Sequence, residues 1–367
     1  NGVINNTGMN GNHVHRYRDL ISYNNGNGPM PCVGSGPHFC EGAGMQVSGN
    51  DYENVDTIYD FVLGAITWGN YGVGIGNYTQ AVMEVWNASQ YFNNFGRSDE
   101  GDFNPNTTSK GFRVFNSISQ KANSGAAAWV ITPGNASGAE PQKQFIPVVQ
   151  SNCFRSYGAD SENLGSSAGG WPGLGTYTTP PSWIDGTNLT KRAVGSGQCD
   201  PKFISLSTSN YFSNDFHLAS GSTAIDTGRS YLRSIGSGTG NSVTVKSNGG
   251  SGDPRNYFIA EQGSYLDAAL SDTTFQIDGA CGVRHIISMT ATTISFDGSP
   301  CVWADGVMIH RPWSGSAPDM GAFEFGFAGV TPIPISSPLA SPTPISGTGS
   351  LLLKRIGLDG TVTSLPG

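Results

Sequence analysis

The stretch RVFNSISQ, residues 113–120, alternates like a strand, yet it sets Asn116 in register with Val114 and Ile118. Alternate residues of a strand share a face, so an extended backbone sends Asn116 wherever Val114 and Ile118 point. If that face is the core, an amide left without partners costs about 1–3 kcal/mol. The fold must therefore supply partners at this position.

Related stretches recur along the first half of the chain. Side by side they read YRDLIS (17–22), IYDFVL (58–63), VWNASQ (85–90), VFNSIS (114–119) and VQSNCF (149–154). Each carries an apolar or aromatic residue, one variable residue and then a small polar one: Asp19, Asp60, Asn87, Asn116 or Ser151. Three copies continue alike, as SYNNG (22–26), YFNNFG (91–96) and KANSG (121–125), and no helical period persists between them. Strand and turn repeating around one polar position predict a parallel β-helix, one coil per repeat, with coils stacked about 4.8 Å apart. The five polar residues then form one inward column and hydrogen-bond from coil to coil. The competing reading is an antiparallel sandwich. It requires tight hairpins, but the Asn-Gly pairs at 1–2, 25–26 and 248–249 do not separate matched alternating strands.

Composition narrows the setting. Fifty-two glycines and 21 prolines are about a fifth of 367 residues, below the roughly 25–30% of low-complexity disorder. Charged residues are 13% and the formal charge is −8, which argues against nucleic acid and anionic membranes as partners. No run of about 18 apolar residues exists, so no transmembrane segment is expected. The chain starts at Asn1 without a Met, which reads as a mature or truncated product. Six cysteines lie as three locally spaced pairs, Cys32 with Cys40, Cys153 with Cys199 and Cys281 with Cys301, although six allow fifteen pairings. Without a C-x-x-C, disulfides and an oxidising compartment fit better than zinc. Sequons at Asn5, Asn77, Asn87, Asn106, Asn135 and Asn188 agree with a secreted glycoprotein. Asn87 is expected to stay unmodified because its column faces inward.

After Cys153 the pattern breaks at a Gly/Pro/Thr-rich run, 166–188. Then come DPKFIS (200–205), DFHLASGSTAIDTG (215–228) and SGSAPDMGAFEF (314–325). The last two segments resemble the closing motifs of bacterial right-handed parallel β-helix proteins of the pectate-lyase-like group. A D-F-H-L-x-x-G-S-x-A-I-D-x-G run there precedes a D-x-G-A-x-E closure. The resemblance implies an all-β solenoid over 1–326: coils in 1–160, an insertion at 161–198, and closing coils with a small β insertion in 199–326. It also implies a surface-anchoring region beyond. The Pro/Ser/Thr-rich stretch 327–349 reads as an extended linker, and 350–367 as a short strand-like tail.

The register of the repeats places candidate chemistry. One position before the polar column come Tyr59, Trp86 and Phe115, an outward aromatic stripe suited to stacking on sugar rings. Arg16, Glu84 and Arg113 flank it. Long loops at 26–43 or 97–110 are the alternative cover for that stripe. Lyases of the resembling group use a Lys or Arg base and, in some cases, calcium, which makes Lys110, Arg113 and Glu84 the catalytic candidates. A surface ion pair between Glu84 and Arg113 is the simpler reading. HVHRYRD (13–19) looks like a metal or acid/base cluster, but His15 shares the face of Tyr17 and reads as a packed residue; no metal site is expected. The sequence thus predicts a secreted or cell-surface protein with a structural, adhesive or carbohydrate-binding role and no cofactor. A polysaccharide lyase or hydrolase, with calcium in the lyase case, is the alternative. The partners expected are a polysaccharide or other matrix component and a further copy of the chain, whose residues 350–356 pair between subunits.

Overall fold

The computed structural model describes residues 3–7, 15–23, 25, 44–49, 60–70, 72–79, 82–93, 101–105, 111–120, 127–130, 148–155, 164–165, 196–210, 213–258, 274–326, 354–356 and 362–364. The chain divides into two compact units, Asn1–Gly329 and Val330–Gly367.

Seventeen short strands of the first unit form three parallel sheets, entered in rotation. The first sheet holds β1 (Val3–Thr7), β4 (Met45–Gly49), β7 (Ile75–Thr79), β10 (Gly101–Pro105), β13 (Ala127–Val130) and β16 (Leu164–Gly165). The second holds β2 (His15–Arg18), β5 (Asp60–Leu63), β8 (Val82–Trp86), β11 (Gly111–Phe115) and β14 (Val148–Gln150). The third holds β3 (Ile21–Tyr23), β6 (Ile66–Trp68), β9 (Ser89–Tyr91), β12 (Ile118–Gln120), β15 (Cys153–Arg155) and β17 (Gly197–Gln198).

The rest of the unit is antiparallel. Strands β18 (Phe203–Ser205) and β19 (Asp215–Leu218) pair antiparallel. A closed barrel runs β20 (Leu232–Ser234), β22 (Ser242–Ser247), β25 (Thr293–Phe296), β24 (Gly282–Met289), β23 (Thr274–Ile277) and β27 (Met308–His310). Outside it, β21 (Gly238–Gly240) pairs with β26 (Cys301–Trp303). One helical turn, α1 (Pro254–Tyr257), is capped by the Asp253 side chain accepting from Arg255 N. The barrel strands bury alternate residues, Val243 and Val245, Phe275 and Ile277, Ile294 and Phe296, as antiparallel strands with one inner face do.

The expected single right-handed parallel β-helix over 1–326 is corrected by this topology. The chain is all-β, but its parallel sheets are built from strands of two to five residues, and a closed antiparallel barrel occupies the region expected to be a small insertion. Closing the barrel satisfies strand edges that an added coil would leave open. The second unit contains β28 (Lys354–Ile356) and β29 (Val362–Ser364), paired antiparallel with each other. The tail strand therefore has a partner within its own chain.

The expected inward column is corrected too. Asp19, Asn87, Asn116 and Ser151 have φ of 51°, 53°, 48° and 53°, so each is a left-handed corner between the second and third sheets, a conformation that Asn and Asp tolerate. The corner of the second repeat is Gly64 (φ 71°), not Asp60. Asp60 lies inside β5, paired with His15 and Met83. Asp19 is exposed, with 58% of its side chain accessible.

The side-chain ladder exists, on other residues. Asn25 Nδ2 donates to Asn70 Oδ1 (2.8 Å), Asn70 Nδ2 to Asn93 Oδ1 (2.7 Å), and Asn93 Nδ2 to Thr67 O (3.1 Å). A second ladder follows the corners: Ala88 N donates to Ser117 Oγ, Ser117 N to Asn152 Oδ1 and Asn152 N to Ser196 Oγ. Stacking equivalent positions lets one amide satisfy the next, so these polar groups are buried without a desolvation penalty left open.

Candidate functional site

The sequence candidates on the second sheet come together where the closing half packs onto it. Arg16, Phe61, Glu84, Arg113 and Val148 share one row across β2, β5, β8, β11 and β14. The next row but one is Arg18, Leu63, Trp86, Phe115 and Gln150. The three expected flanking residues, Arg16, Glu84 and Arg113, sit in the first row. In the second repeat the register is offset by four, so Leu63 stands where Tyr59 was expected. Tyr59 and Lys110 lie outside the described residues.

The aromatic stripe is present but covered. Trp86 and Phe115 are fully buried, stacked with centroids 4.2 Å apart. Tyr231 meets Trp86 edge-on at 5.0 Å and stacks on Tyr257 at 4.4 Å. The start of the barrel and α1 supply that cover through Tyr231 and Tyr257; residues 26–43 and most of 97–110, the loops expected there, lie outside the described residues. Burying each of these rings is worth about 2–3 kcal/mol, which makes the stripe the hydrophobic seam between the two halves. Neither Trp86 nor Phe115 can stack on a sugar in this arrangement, and that expectation is corrected.

Glu84 is sealed at the same seam. It is fully buried and accepts from Trp86 Nε1 (2.8 Å) and Ser251 N (2.9 Å), with Arg113 Nη1 3.6 Å away. Burial pushes its carboxyl above the usual value against the pull of Trp86 and Arg113. Gly250 lies directly against the Glu84 carboxylate and the Trp86 ring, leaving no space for a Cβ, so glycine permits Ser251 to reach Glu84. Deeper, Tyr231 N donates to His310 Nδ1 (3.0 Å). The neutral ring then presents Nε2–H to Tyr257 Oη, 2.6 Å away. Burial holds His310 well below its ordinary value and the phenols of Tyr231 and Tyr257 above theirs. These groups have the residue types of acid/base chemistry, but the seam gives them no face toward a substrate.

The closing motifs lie along the corners. Asn116 Nδ2 donates to Arg229 O (2.7 Å) and Arg229 N donates to Asn116 Oδ1 (2.8 Å). Asn87, 8% exposed, donates to Asp319 O (3.3 Å). Gly321 N donates to Asn116 O, and Ala322 N to Ser89 Oγ. Asp319 accepts from Asp226 N and Phe325 N, and Glu324 from Asp319 N and Ser314 N. Burial pushes Asp319 up to about 6; burial and the Asp319 charge push Glu324 up to about 8. Sequence reasoning missed Tyr231, Tyr257 and His310, for which no local pattern signals a role. It found Asp319 and Glu324 only as parts of a motif.

Cys153 and Cys199 form one disulfide (Cα–Cα 5.3 Å) and Cys281 and Cys301 another (5.5 Å). Cys32 and Cys40 lie outside the described residues, as do Asn106, Asn135 and Asn188. Asn77 lies in β7, and His15 in β2; His13 is outside. Among the described residues no three His, Cys, Asp or Glu side chains gather to hold a metal, and no helix is long and apolar enough to cross a membrane.

Arg16, the remaining candidate, is exposed on β2 and donates through Nε and Nη2 to Asn256 Oδ1 (3.2 and 2.9 Å). Comparison of the chain with known protein families, with curated proteins and with solved structures returns no match.

Proposed function

We propose that the protein is a secreted or cell-surface component with a structural, adhesive or carbohydrate-binding role rather than an enzyme. The observation that carries this reading is the fate of Glu84. The one candidate carboxylate is consumed by Trp86, Ser251 and Arg113 at a packed seam, where it holds two halves of the fold together. The two disulfides support an oxidising compartment. The closing-motif resemblance at 215–228 and 319–324 supports a cell-surface setting. Fold alone assigns no activity.

The test is incubation of the full chain with a panel of neutral and acidic polysaccharides, with and without calcium. Retention of the protein on a polysaccharide without bond cleavage is the expected result. Release of unsaturated or reducing ends that disappears in Arg113→Ala would overturn the reading in favour of a lyase or hydrolase. Self-association belongs to the same reading, and the solution mass of the chain with and without residues 330–367 tests whether the tail carries it.

A further inference from the structure

Four of the chain's twelve arginines gather at one edge of the second sheet. Arg16 and Arg18 are alternate residues of β2, the edge strand, and so project from the same face. α1 brings Arg255 beside them: Arg16 binds Asn256, the next residue, and feels the charges of Arg255 and Asp253. Arg311, just past β27, completes the group. Its Nη1 lies 3.8 Å from Asp19 Oδ1, while Arg18 Nε lies 3.1 Å from Asp19 Oδ2. Burial and the adjacent Arg311 charge both hold Arg18 below its ordinary value.

The counter-charges do not balance. Asp253 is engaged by Arg255, at 3.0 Å to Nε and 2.6 Å to Nη2. Asp19 is shared by Arg18 and Arg311, and Arg16 is held by a neutral amide. Among the described residues the cluster thus carries four cations against two anions, on a chain whose net charge is −8. The side chains of Arg18, Arg255 and Arg311 remain 36%, 52% and 27% exposed. Stability does not call for this arrangement: like charges repel, and exposed ion pairs contribute little.

We propose that Arg16, Arg18, Arg255 and Arg311 form a binding site for the carboxylate or sulfate groups of an acidic polysaccharide. This rests on the adhesive reading above and gives it a ligand class and a place. Guanidinium forks match carboxylate and sulfate oxygens in paired hydrogen bonds. The α1 turn and β2 set those forks on backbone that is hydrogen-bonded, not on free termini. A glycan spaces its charges between uncharged hydroxyls, which suits a local cationic cluster on an otherwise acidic chain. A dense polyanion such as nucleic acid would meet that acidic field along its length.

The experiment measures binding of the full chain to immobilised polygalacturonate and to dextran sulfate, with neutral dextran as the control. The wild-type chain should bind both polyanions, bind dextran poorly, and weaken with added salt. Arg16→Gln/Arg255→Gln should lower the affinity about tenfold, two exposed ion pairs at the upper end of their range. Lys246→Gln, matched in charge to Arg255→Gln alone, removes one cation from exposed β22 and should change it less than about twofold. Arg255→Gln alone, a half-exposed residue, supplies the readout if the double variant does not fold. Equal losses in Lys246→Gln would overturn the site, because net charge alone would then explain binding. Absence of polyanion binding with retention on neutral polysaccharide would overturn the site and leave the adhesive reading standing. Cleavage of the polymer would instead overturn that reading.

Discussion

The side-chain amide of Asn116 and the backbone of Arg229 exchange two hydrogen bonds, of 2.7 and 2.8 Å, across 113 residues of chain. The amide is not in the interior of the parallel sheets but at their corner, bound to the segment that closes the fold. Asn116→Ala removes both bonds and forces an alanine into φ near 48°. The expected loss is about 2–4 kcal/mol, from two part-buried hydrogen bonds and left-handed strain. Asn116→Gly keeps the corner without strain and should lose about 1 kcal/mol less. Denaturant unfolding of the two variants measures the difference.

Arg113→Ala should destabilise the chain by about 1–3 kcal/mol, because the buried Glu84 charge loses its cationic neighbour. Glu84→Gln in the same chain should return part of that loss. A double-mutant cycle on unfolding free energies reads the coupling, and additive losses would show that the 3.6 Å pair contributes nothing.

The recurring position was legible in the sequence, but its direction was not. Strand alternation through Asn116 holds only while the backbone stays extended, and φ near 48° ends that parity at the residue in question. The second repeat was misaligned because its corner is Gly64, which has no side chain to match against Asn or Asp. The asparagine ladder was in view at SYNNG and YFNNFG, where Asn25 and Asn93 provide two of its three rungs. The barrel left alternating strands in the sequence but no trace of its closure order. The cover over Trp86 and Phe115 comes from Tyr231 and Tyr257, more than 100 residues later, and no local pattern reports it.

Asp319 and Glu324 make stability depend on pH. Their folded values, about 6 and about 8, lie above the ordinary 3.8 and 4.5. A carboxyl raised in this way holds its proton more tightly when folded. Its contribution is complete below about pH 4 and is lost as pH rises through 6 and then 8. The chain should therefore be more stable at pH 5 than at pH 8.5 by a few kcal/mol, since each pH unit of elevation corresponds to about 1.4 kcal/mol. Asp319→Asn/Glu324→Gln should flatten the profile. The slope is the readout, because an amide nitrogen facing Phe325 N or Asp319 N lowers stability at every pH.

Cys281 and Cys301 close a loop of 20 residues around β24 and β25. Replacing both with alanine should cost about 3 kcal/mol, chiefly by freeing the unfolded chain. Thermal unfolding of the variant beside the oxidised parent checks this. An unchanged midpoint would mean that the barrel's own pairing already fixes that loop.

The bond between Asn116 and Arg229 has a temporal meaning as well. A ribosome or an export channel delivers Trp86, Phe115 and Asn116 long before Tyr231, Arg229 and Ala322 emerge to meet them. Until then the parallel sheets stand with an aromatic face and an amide corner open to water, and contacts this distant in sequence form slowly. A chain that has emerged only as far as Asn116 is therefore sticky until residues 229–322 have followed it. Sealing that face waits on residues made more than 100 positions after the face itself.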